Sequence, residues 1–226
     1  MPGSLPHILK KTFRHAHNVE YEYKLPTFIC QRNLETNIMK IAYVIFNDIT
    51  LLDFIGIYDP ISRLQKEWMP NLSWDVVAFT PTVKDNFGLT LSPQLVQADL
   101  SGYDMVFIPG GWGTRQLIHD RQFLNWIQTT NRSALKTSVC TGSLIWGAAG
   151  LLANRKATTH FNEYETLTQF GCTVSKDRIV DDGDLITAGA VASSLDLGLY
   201  LCNKWCGPAA AEQVRVKMDY HPAIPS

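Results

Sequence analysis

Short apolar runs alternate with segments of helical periodicity along most of the chain. The first run, residues 41–46, reads Ile-Ala-Tyr-Val-Ile-Phe without a polar interruption. An unbroken apolar run of this length is typical of a strand that is buried on both faces of a sheet. Related patterns predict strands at 73–79, 104–108, 136–139 and 157–160, a small hairpin at 83–94 around Gly88, and a strand pair at 178–182 and 184–187 joined by an Asp-Gly turn.

Helical periodicity fills most of the intervals between these strands. The predicted helices are 51–67 with a break near Pro60, 120–132, a stretch from just after Cys140 to Gly150, 161–170, 190–205, and 208–218 with a proline in its first turn. Strands that alternate with helices favour an α/β fold, in which a doubly wound, mostly parallel sheet carries helices on both faces. The chain contains no internal repeat.

Composition narrows the class of protein. Apolar residues make up 46% of the 226 residues, which is enough for a sizeable core and excludes global disorder. A net charge of -1 argues against nucleic acid as the main ligand, because phosphate binding needs a concentrated basic face. No apolar run reaches the roughly 18 residues that a membrane span needs. Charged residues are only 18% of the chain, a hint that a partner subunit covers part of the surface.

The chain is predicted to divide near Met39. Residues 1–38 carry five basic and three acidic side chains, a net charge of +2, and show neither strand nor helix periodicity. They lack the apolar segment of a secretory signal. We interpret residues 1–38 as an N-terminal extension that is disordered or an artefact of upstream translation, with a functional arm as the weaker alternative. Residues 39–226 form the predicted folded domain.

The five cysteines indicate a reducing compartment. An odd count without a secretion signal is typical of reduced thiols, and we expect a cytoplasmic protein. Cys202 and Cys206 lie four apart on a predicted helix and are interpreted as packing residues, since no neighbouring His or Cys completes a zinc site. Neither a metal nor an organic cofactor is predicted.

Cys140 is the strongest candidate for chemistry. It ends an apolar strand and precedes Thr141, Gly142 and Ser143, small residues that permit the sharp strand-to-helix turn of a nucleophile elbow. A thiol at a helix N-terminus is expected to have a lowered pKa. The alternative interpretation is a buried cysteine that only fills volume.

A glycine-rich turn follows the strand at 104–108. Its spacing, Pro109-Gly110-Gly111-Trp112-Gly113, does not match a dinucleotide-binding fingerprint. The backbone N–H groups of Gly111 and Thr141 are candidate oxyanion donors. A plain tight turn is the alternative for this segment.

Several motifs together resemble the ThiJ/PfpI superfamily, part of the class I glutamine amidotransferase-like fold. They are Leu52-Asp53-Phe54-Ile55-Gly56, Ile108 to Gly113, Ser138-Val139-Cys140-Thr141-Gly142-Ser143, Ala157 to Phe161, and Ile186-Thr187-Ala188-Gly189. Within the superfamily the chain is most similar to isonitrile hydratases and to the sensor domains of related AraC-type regulators.

The resemblance implies a homodimer with a flavodoxin-like fold and a small-molecule substrate. It implies Cys140 as nucleophile, Asp53 as its acid/base partner and Thr141 as an essential neighbour, in a lyase that hydrates an isonitrile to an N-substituted formamide through a thioimidate. Members with peptidase activity carry a histidine where this chain has Thr141, which disfavours that activity. Two alternatives stay open: a glyoxalase- or amidase-type cysteine enzyme, and a redox or ligand sensor.

The remaining candidate residues have two interpretations each. His160 either acts at the site or makes a structural hydrogen bond, and Trp112 lines either the pocket or a subunit contact. Asp48 competes with Asp53 as the carboxylate, although its position suits a turn or a helix cap. Asp196, on an apolar helix, is interpreted as a buried or interfacial hydrogen-bonding group.

Overall fold

The computed structural model describes residues 38–221. The prediction for residues 1–38 therefore lies, apart from Ile38, outside the described residues. The strands are β1 (Met39–Ile45), β2 (Leu72–Ala78), β3 (Val83–Lys84), β4 (Thr90–Leu91), β5 (Leu95–Val96), β6 (Met105–Ile108), β7 (Leu135–Val139), β8 (Lys156–Ala157), β9 (Thr173–Val174), β10 (Ile179–Asp181) and β11 (Leu185–Ala188).

Seven α-helices and three short 3₁₀ helices are found in the described part of the chain. The α-helices are α1 (Leu51–Ser62), α2 (Thr114–Leu117), α3 (Arg121–Ile127), α4 (Gly142–Ala148), α5 (Tyr164–Thr168), α6 (Ser193–Cys206) and α7 (Pro208–Lys217). The 3₁₀ helices are Arg63–Lys66, Leu100–Gly102 and Phe161–Glu163.

Seven strands form the central sheet, in the order β10-β11-β7-β6-β1-β2-β5. All neighbours are parallel except the edge pair β10 and β11, which is antiparallel. The pairs β3–β4 and β8–β9 lie outside this sheet. The mostly parallel, flavodoxin-like α/β fold predicted from the alternation of strands and helices is confirmed.

The two faces of β1 show why its whole length is apolar. Tyr43 packs against Phe54 of α1, with ring centroids 5.5 Å apart. Phe46, which directly follows the strand and continues its direction, packs against Phe123 of α3, with ring centroids 6.4 Å apart. Side chains three residues apart on a strand point to opposite faces. Helices therefore cover the sheet on both sides, as predicted.

Helix α1 continues past the predicted break at Pro60 and ends at Ser62, where a 3₁₀ turn takes over. The long helix α6 packs closely against it. A Cβ atom at Gly198 of α6 would lie only 2.3 Å from Cγ of Pro60. Gly198 thus leaves room for the proline ring where the two helices meet.

Three other predicted elements are wrong in extent. The strand at 157–160 is only the two-residue β8, which pairs with β9 and not with the central sheet. The helix at 120–132 ends at Ile127, with Asp120 as its N-cap. The helix at 161–170 begins with a 3₁₀ turn and ends at Thr168. Strand β5, at the edge of the sheet, was not predicted.

No helix in residues 38–221 has the length and apolar character that crossing a membrane requires.

Candidate active site

Three adjacent strands deliver the candidate residues to one edge of the sheet. β1 lies next to β6, and β6 lies next to β7. Asp53 sits in the first turn of α1, shortly after β1, while Gly110 follows β6 and Cys140 follows β7. The carboxyl ends of neighbouring parallel strands meet at one edge, which is where α/β sheets bind ligands.

Cys140 occupies a strained turn between β7 and α4. Its φ angle is +56°, in the left-handed region that non-glycine residues rarely adopt. The turn is held by its own N–H, which donates to the carbonyl of Gly189 at 2.7 Å, and by the Thr159 hydroxyl, which donates to the Cys140 carbonyl at 2.9 Å. The backbone therefore turns sharply between the strand and the helix at this residue.

Asp53 is fully buried beside this cysteine. Its Oδ2 accepts a hydrogen bond of 2.8 Å from the N–H of Gly110, and its Oδ1 has no hydrogen-bond partner within residues 38–221. Burial raises the pKa of Asp53 to about 7, against the opposing effects of the Gly110 N–H and the Cys140 thiol. A carboxyl group with this pKa can both accept and release a proton at neutral pH.

The expected lowering of the Cys140 pKa is not found. Burial, and then the negative charge of Asp53, raise the pKa of Cys140 to about 12. These effects outweigh the opposing hydrogen bonds from the Thr141 N–H and hydroxyl and the Val191 N–H. The resting sulfur is therefore a thiol, and thiolate formation requires a proton acceptor at the site. Asp53 is the carboxylate in position to act as that acceptor.

Gly110 is tightly enclosed by the candidate catalytic groups. A Cβ atom built on it would lie 2.7 Å from Cβ of Cys140, 2.7 Å from the Thr141 nitrogen and 2.8 Å from Oδ2 of Asp53. All three distances are shorter than normal van der Waals contacts. The absence of a side chain at this position allows the carboxyl group and the cysteine to lie side by side.

The Thr141 hydroxyl connects the turn after β6 to the turn after β7. It accepts a hydrogen bond from the N–H of Gly111 at 3.1 Å and another from the Thr114 hydroxyl at 2.9 Å. The Gly111 N–H, predicted as an oxyanion donor, is thus engaged with a side chain in this structure. Gly111 itself has a φ of +137° and could not carry a Cβ, because the Asp48 carbonyl oxygen would be 2.2 Å away.

The backbone of Val191 is the site component that the sequence did not suggest. Its N–H group is close enough to Cys140 to lower the pKa of the thiol. Val191 lies in the loop between β11 and α6, two residues after Gly189, whose carbonyl accepts a hydrogen bond from the Cys140 N–H. The motif Ile186 to Gly189 marked this loop, but backbone donors leave no signal in side-chain chemistry.

Trp112 and His160 each directly follow a residue that is hydrogen-bonded to the candidate site, Gly111 and Thr159 respectively. Trp112 follows Gly111, and 66% of the residue is exposed. His160 follows Thr159, accepts a hydrogen bond at Nδ1 from the Asn162 N–H at 3.2 Å, and stacks on Phe161. The observed hydrogen bond of His160 is thus a local cap of the 3₁₀ turn, the structural alternative that the sequence left open.

The other two acidic candidates are not buried as Asp53 is. Asp48 is an exposed turn residue with a φ of +58°. Asp196 pairs with Arg178 and accepts a hydrogen bond from the Tyr220 hydroxyl at 2.9 Å. Within the described residues, His, Cys, Asp and Glu side chains nowhere come together in a group of three that could hold a metal ion.

Comparison with known proteins identifies the family of this site. A family model described as DJ-1/PfpI matches residues 39–204. The chain belongs to the DJ-1/PfpI family. The superfamily resemblance inferred from the motifs is thereby confirmed.

Two relatives of this chain carry functional names. The chain is 36% identical over 189 residues to the isonitrile hydratase of Pseudomonas putida, and the alignment covers 83% of this chain and 81% of that protein. It is 22% identical over 177 residues to the HTH-type transcriptional regulator CdhR of Pseudomonas aeruginosa, covering 76% of this chain but only 52% of that protein. The chain thus matches about half the length of the regulator.

A solved DJ-1/PfpI structure has the same fold. The crystal structure of a ThiJ/PfpI family protein from Pseudomonas syringae superposes with a TM-score of 0.77 at 28% identity, covering 91% of this chain and 86% of that one.

Proposed function

We propose that this protein is a cysteine-dependent lyase that hydrates an isonitrile to an N-substituted formamide. The observation that carries the proposal is the buried pair of Asp53 and Cys140, with the pKa of the carboxyl group raised to about 7. The similarity to the Pseudomonas putida isonitrile hydratase over most of both chains supports this reaction above the family's other activities. Cys140, Asp53 and Thr141 are the proposed catalytic residues.

In the first half of the reaction, the Asp53 carboxylate accepts the Cys140 proton as the sulfur attacks the terminal carbon of R–N≡C. The new C–S bond uses the sulfur's electron pair, and the carbon–nitrogen bond order falls from three to two. Asp53 then delivers its proton to the same carbon, which gives the thioimidate R–N=CH–S. The thiol proton therefore moves to carbon through one carboxyl group, and Asp53 ends this half as a carboxylate.

In the second half, water adds to the thioimidate carbon. Asp53 accepts a proton from the water and returns it to the substrate nitrogen. The tetrahedral adduct then collapses, the C–S bond breaks, and the hydroxyl proton returns to sulfur as the carbonyl forms. The products are R–NH–CHO and the free Cys140 thiol, so the net change is the addition of one water molecule.

Backbone and hydroxyl donors support the sulfur as its charge develops. The Thr141 N–H and hydroxyl and the Val191 N–H each lower the pKa of Cys140. Preorganised donors of this kind stabilise an anion without reorganising during the reaction. The same groups would stabilise the thiolate again when it leaves the tetrahedral adduct.

The two alternatives have weaker support. Oxidation by peroxide acts on a thiolate, and the raised pKa of Cys140 keeps the resting sulfur protonated, which disfavours redox sensing. An amidase-type mechanism needs a general acid that protonates the leaving amine, and the residue after the nucleophile is Thr141 in place of the histidine of peptidase members.

A parallel substrate assay tests the proposal. The purified full-length chain is expected to convert an alkyl isonitrile to the corresponding formamide, with no comparable turnover of methylglyoxal or a simple amide. Turnover of methylglyoxal without any response to isonitriles would assign the site to the glyoxalase-type alternative. Inactivity towards all three, together with sulfenic acid formation at Cys140 under mild peroxide, would favour the sensor.

The pH dependence of hydration follows from the two pKa values of the pair. The active form carries one proton shared between Asp53 and Cys140, and it predominates between about 7 and about 12. We expect kcat/KM for an isonitrile to rise about tenfold per pH unit below 7 and to level off above it. A profile that is flat from pH 5.5 to 8.5 would contradict the assignment of Asp53 as the proton acceptor.

We propose in addition that the protein is a cytoplasmic homodimer that acts on a small molecule. The low charged fraction supports a covered surface, and so do the exposed apolar side chains of Leu52, Ile55 and Phe87. Light scattering is expected to give twice the 25.4 kDa mass of one chain. A monomer at micromolar concentration would contradict the dimer without affecting the chemistry.

A further inference from the structure

Two exposed aromatic side chains lie just outside the candidate active site. Trp112 directly follows Gly111, which is hydrogen-bonded to Thr141. Phe161 comes two residues after Thr159, whose hydroxyl binds the Cys140 carbonyl. The exposed fractions are 66% for Trp112 and 62% for Phe161. Each ring therefore belongs to a residue one or two positions along the chain from a group that is hydrogen-bonded to Cys140 or Thr141.

An ion pair joins these two segments. The Arg115 guanidinium on α2 pairs with Glu163 of the 3₁₀ turn at an N···O distance of 2.5 Å. The same guanidinium lies 4.4 Å from the ring centroid of Trp112. On the other segment, the Phe161 ring stacks on His160 with centroids 4.2 Å apart. Each aromatic ring thus has one face supported by a neighbour and leaves its remaining surface exposed.

The ion pair also removes a charge from this border. Only 14% of the Glu163 side chain is exposed, and the Thr166 hydroxyl donates to its second oxygen at 2.8 Å. Glu163 is therefore held in place against Arg115 and offsets its positive charge. A ligand that approaches the rings meets an apolar surface whose nearest cation is already neutralised.

We infer that Trp112 and Phe161, here called the aromatic rim, bind a neutral aromatic substituent of the substrate, with Arg115 and Glu163 as positioning residues. This inference rests on the proposed function and names the R group of the isonitrile. An aromatic R group stacks on exposed rings in an offset or edge-to-face arrangement. The guanidinium behind Trp112 makes this ring a better partner for an electron-rich group and holds its orientation.

Alkylation of Cys140 tests the rim without requiring hydration. The probes are iodoacetamide and N-phenyliodoacetamide; in both, the Cys140 sulfur forms the C–S bond, iodide leaves and the thiol proton is lost. The two rate constants are measured at Cys140 by peptide mass mapping at pH 8. We expect the wild type to prefer the phenyl reagent, and Trp112→Leu or Phe161→Leu to lower the ratio about three- to tenfold, the range of one aromatic contact.

A matched tryptophan supplies the control variant. Trp68 is likewise next to a cation, with Nζ of Lys217 5.3 Å from the ring centroid. It precedes β2 at the opposite, amino-terminal edge of the sheet. Trp68→Leu is expected to leave the ratio of the two alkylation rates at the wild-type value.

The charge of the rim is tested with N-(4-carboxyphenyl)iodoacetamide. Glu163→Gln keeps a side chain of the same shape but leaves the Arg115 charge without its partner. We expect this variant to react about threefold faster with the carboxylated reagent, relative to the phenyl reagent, than the wild type does, as an exposed ion pair allows. An unchanged ratio would overturn the role of Glu163.

The outcomes of this experiment separate the rim from the proposed reaction. Equal rate constants for iodoacetamide and N-phenyliodoacetamide in the wild type would overturn the rim. If Trp112→Leu lowered the alkylation rate constants of both reagents by the same factor, the rim would be overturned as well, because this result would indicate a general change at the site. If the wild type prefers the phenyl reagent but hydrates no isonitrile, the role of the rim in binding aromatic groups would stand, and the proposed hydratase activity would be refuted.

Discussion

Asp53→Asn is expected to lower kcat/KM for isonitrile hydration by at least about a hundredfold, the contribution typical of a positioned acid/base group. Asparagine has the same shape and can still accept the Gly110 N–H bond, so the turn geometry is retained. It cannot accept the Cys140 proton, and burial, the largest cause of the raised Cys140 pKa, remains in the variant and keeps the thiol protonated. Steady-state formamide production checks this, and the remaining activity should not show the rise towards pH 7.

The same substitution is expected to stabilise the protein. Burial raises the pKa of Asp53 from its ordinary value of 3.8 to about 7, so the folded state releases this proton at higher pH than the unfolded chain does. Ionised Asp53 therefore destabilises the fold, by an amount that grows between pH 4 and pH 7 and is constant above pH 7. The shift corresponds to up to about 4 kcal/mol.

Urea unfolding at pH 4 and pH 8 measures this effect on stability. The free energy of unfolding of Asp53→Asn should exceed that of the wild type at pH 8, and the difference should largely disappear at pH 4. Asp48→Asn is the matched control, because Asp48 is a nearby but exposed carboxylate whose turn also suits asparagine.

An Asp53→Asn variant with full activity would remove Asp53 from the mechanism.

Gly110→Ala is expected to lower kcat/KM by about a hundredfold through geometry alone. The added methyl group would lie 2.7 Å from Cβ of Cys140 and 2.8 Å from Oδ2 of Asp53, so the two side chains must separate. A displacement of about 1 Å in a catalytic group can cost this much in rate. The steric strain is also expected to destabilise the fold by about 1–3 kcal/mol.

A second glycine controls for the general effect of adding a methyl group. A Cβ at Gly102 would have no neighbour within 4 Å, so Gly102→Ala should retain wild-type kinetics. Circular dichroism of Gly110→Ala establishes the folded fraction, to which the rate is normalised. Wild-type kinetics in folded Gly110→Ala would contradict the close packing of carboxyl group and cysteine on which the mechanism depends.

The sequence predicted those parts of the fold and site that depend on local patterns. The apolar run that became β1 indicated a strand covered on both faces, and Tyr43 and Phe46 pack on helices from opposite sides. The small residues after Cys140 indicated a sharp turn, and its φ of +56° agrees with this expectation.

The errors arose where tertiary contacts decide the structure. The sequence predicts a strand at residues 157–160. The N–H of Thr158 instead donates to the Thr187 hydroxyl, and the hydroxyl of Thr159 donates to the Cys140 carbonyl. Because these groups bond to side chains and to the turn, the strand pairing ends at Ala157. The sequence predicts that the Gly111 N–H is available as an oxyanion donor, but in the structure it donates a hydrogen bond to the Thr141 hydroxyl.

The direction of the Cys140 pKa shift likewise depends on tertiary contacts and could not be predicted from the sequence. The sequence placed the thiol at a helix N-terminus, which by itself favours the thiolate. Burial and the charge of Asp53 act in the opposite direction and prevail. Neither effect is visible until the fold brings β1 and β7 to either side of β6.

Formamide production from an alkyl isonitrile by Cys140→Ala and Cys172→Ala tests the central claim most directly. Both cysteines are buried, but Cys172 lies after α5, where its sulfur contacts only the Leu167 carbonyl among the hydrogen bonds described. We predict wild-type turnover in Cys172→Ala, no detectable formamide from Cys140→Ala, and a covalent adduct of the isonitrile's mass on Cys140 in quenched wild-type samples. Formamide production by Cys140→Ala at the wild-type rate would contradict the proposed mechanism.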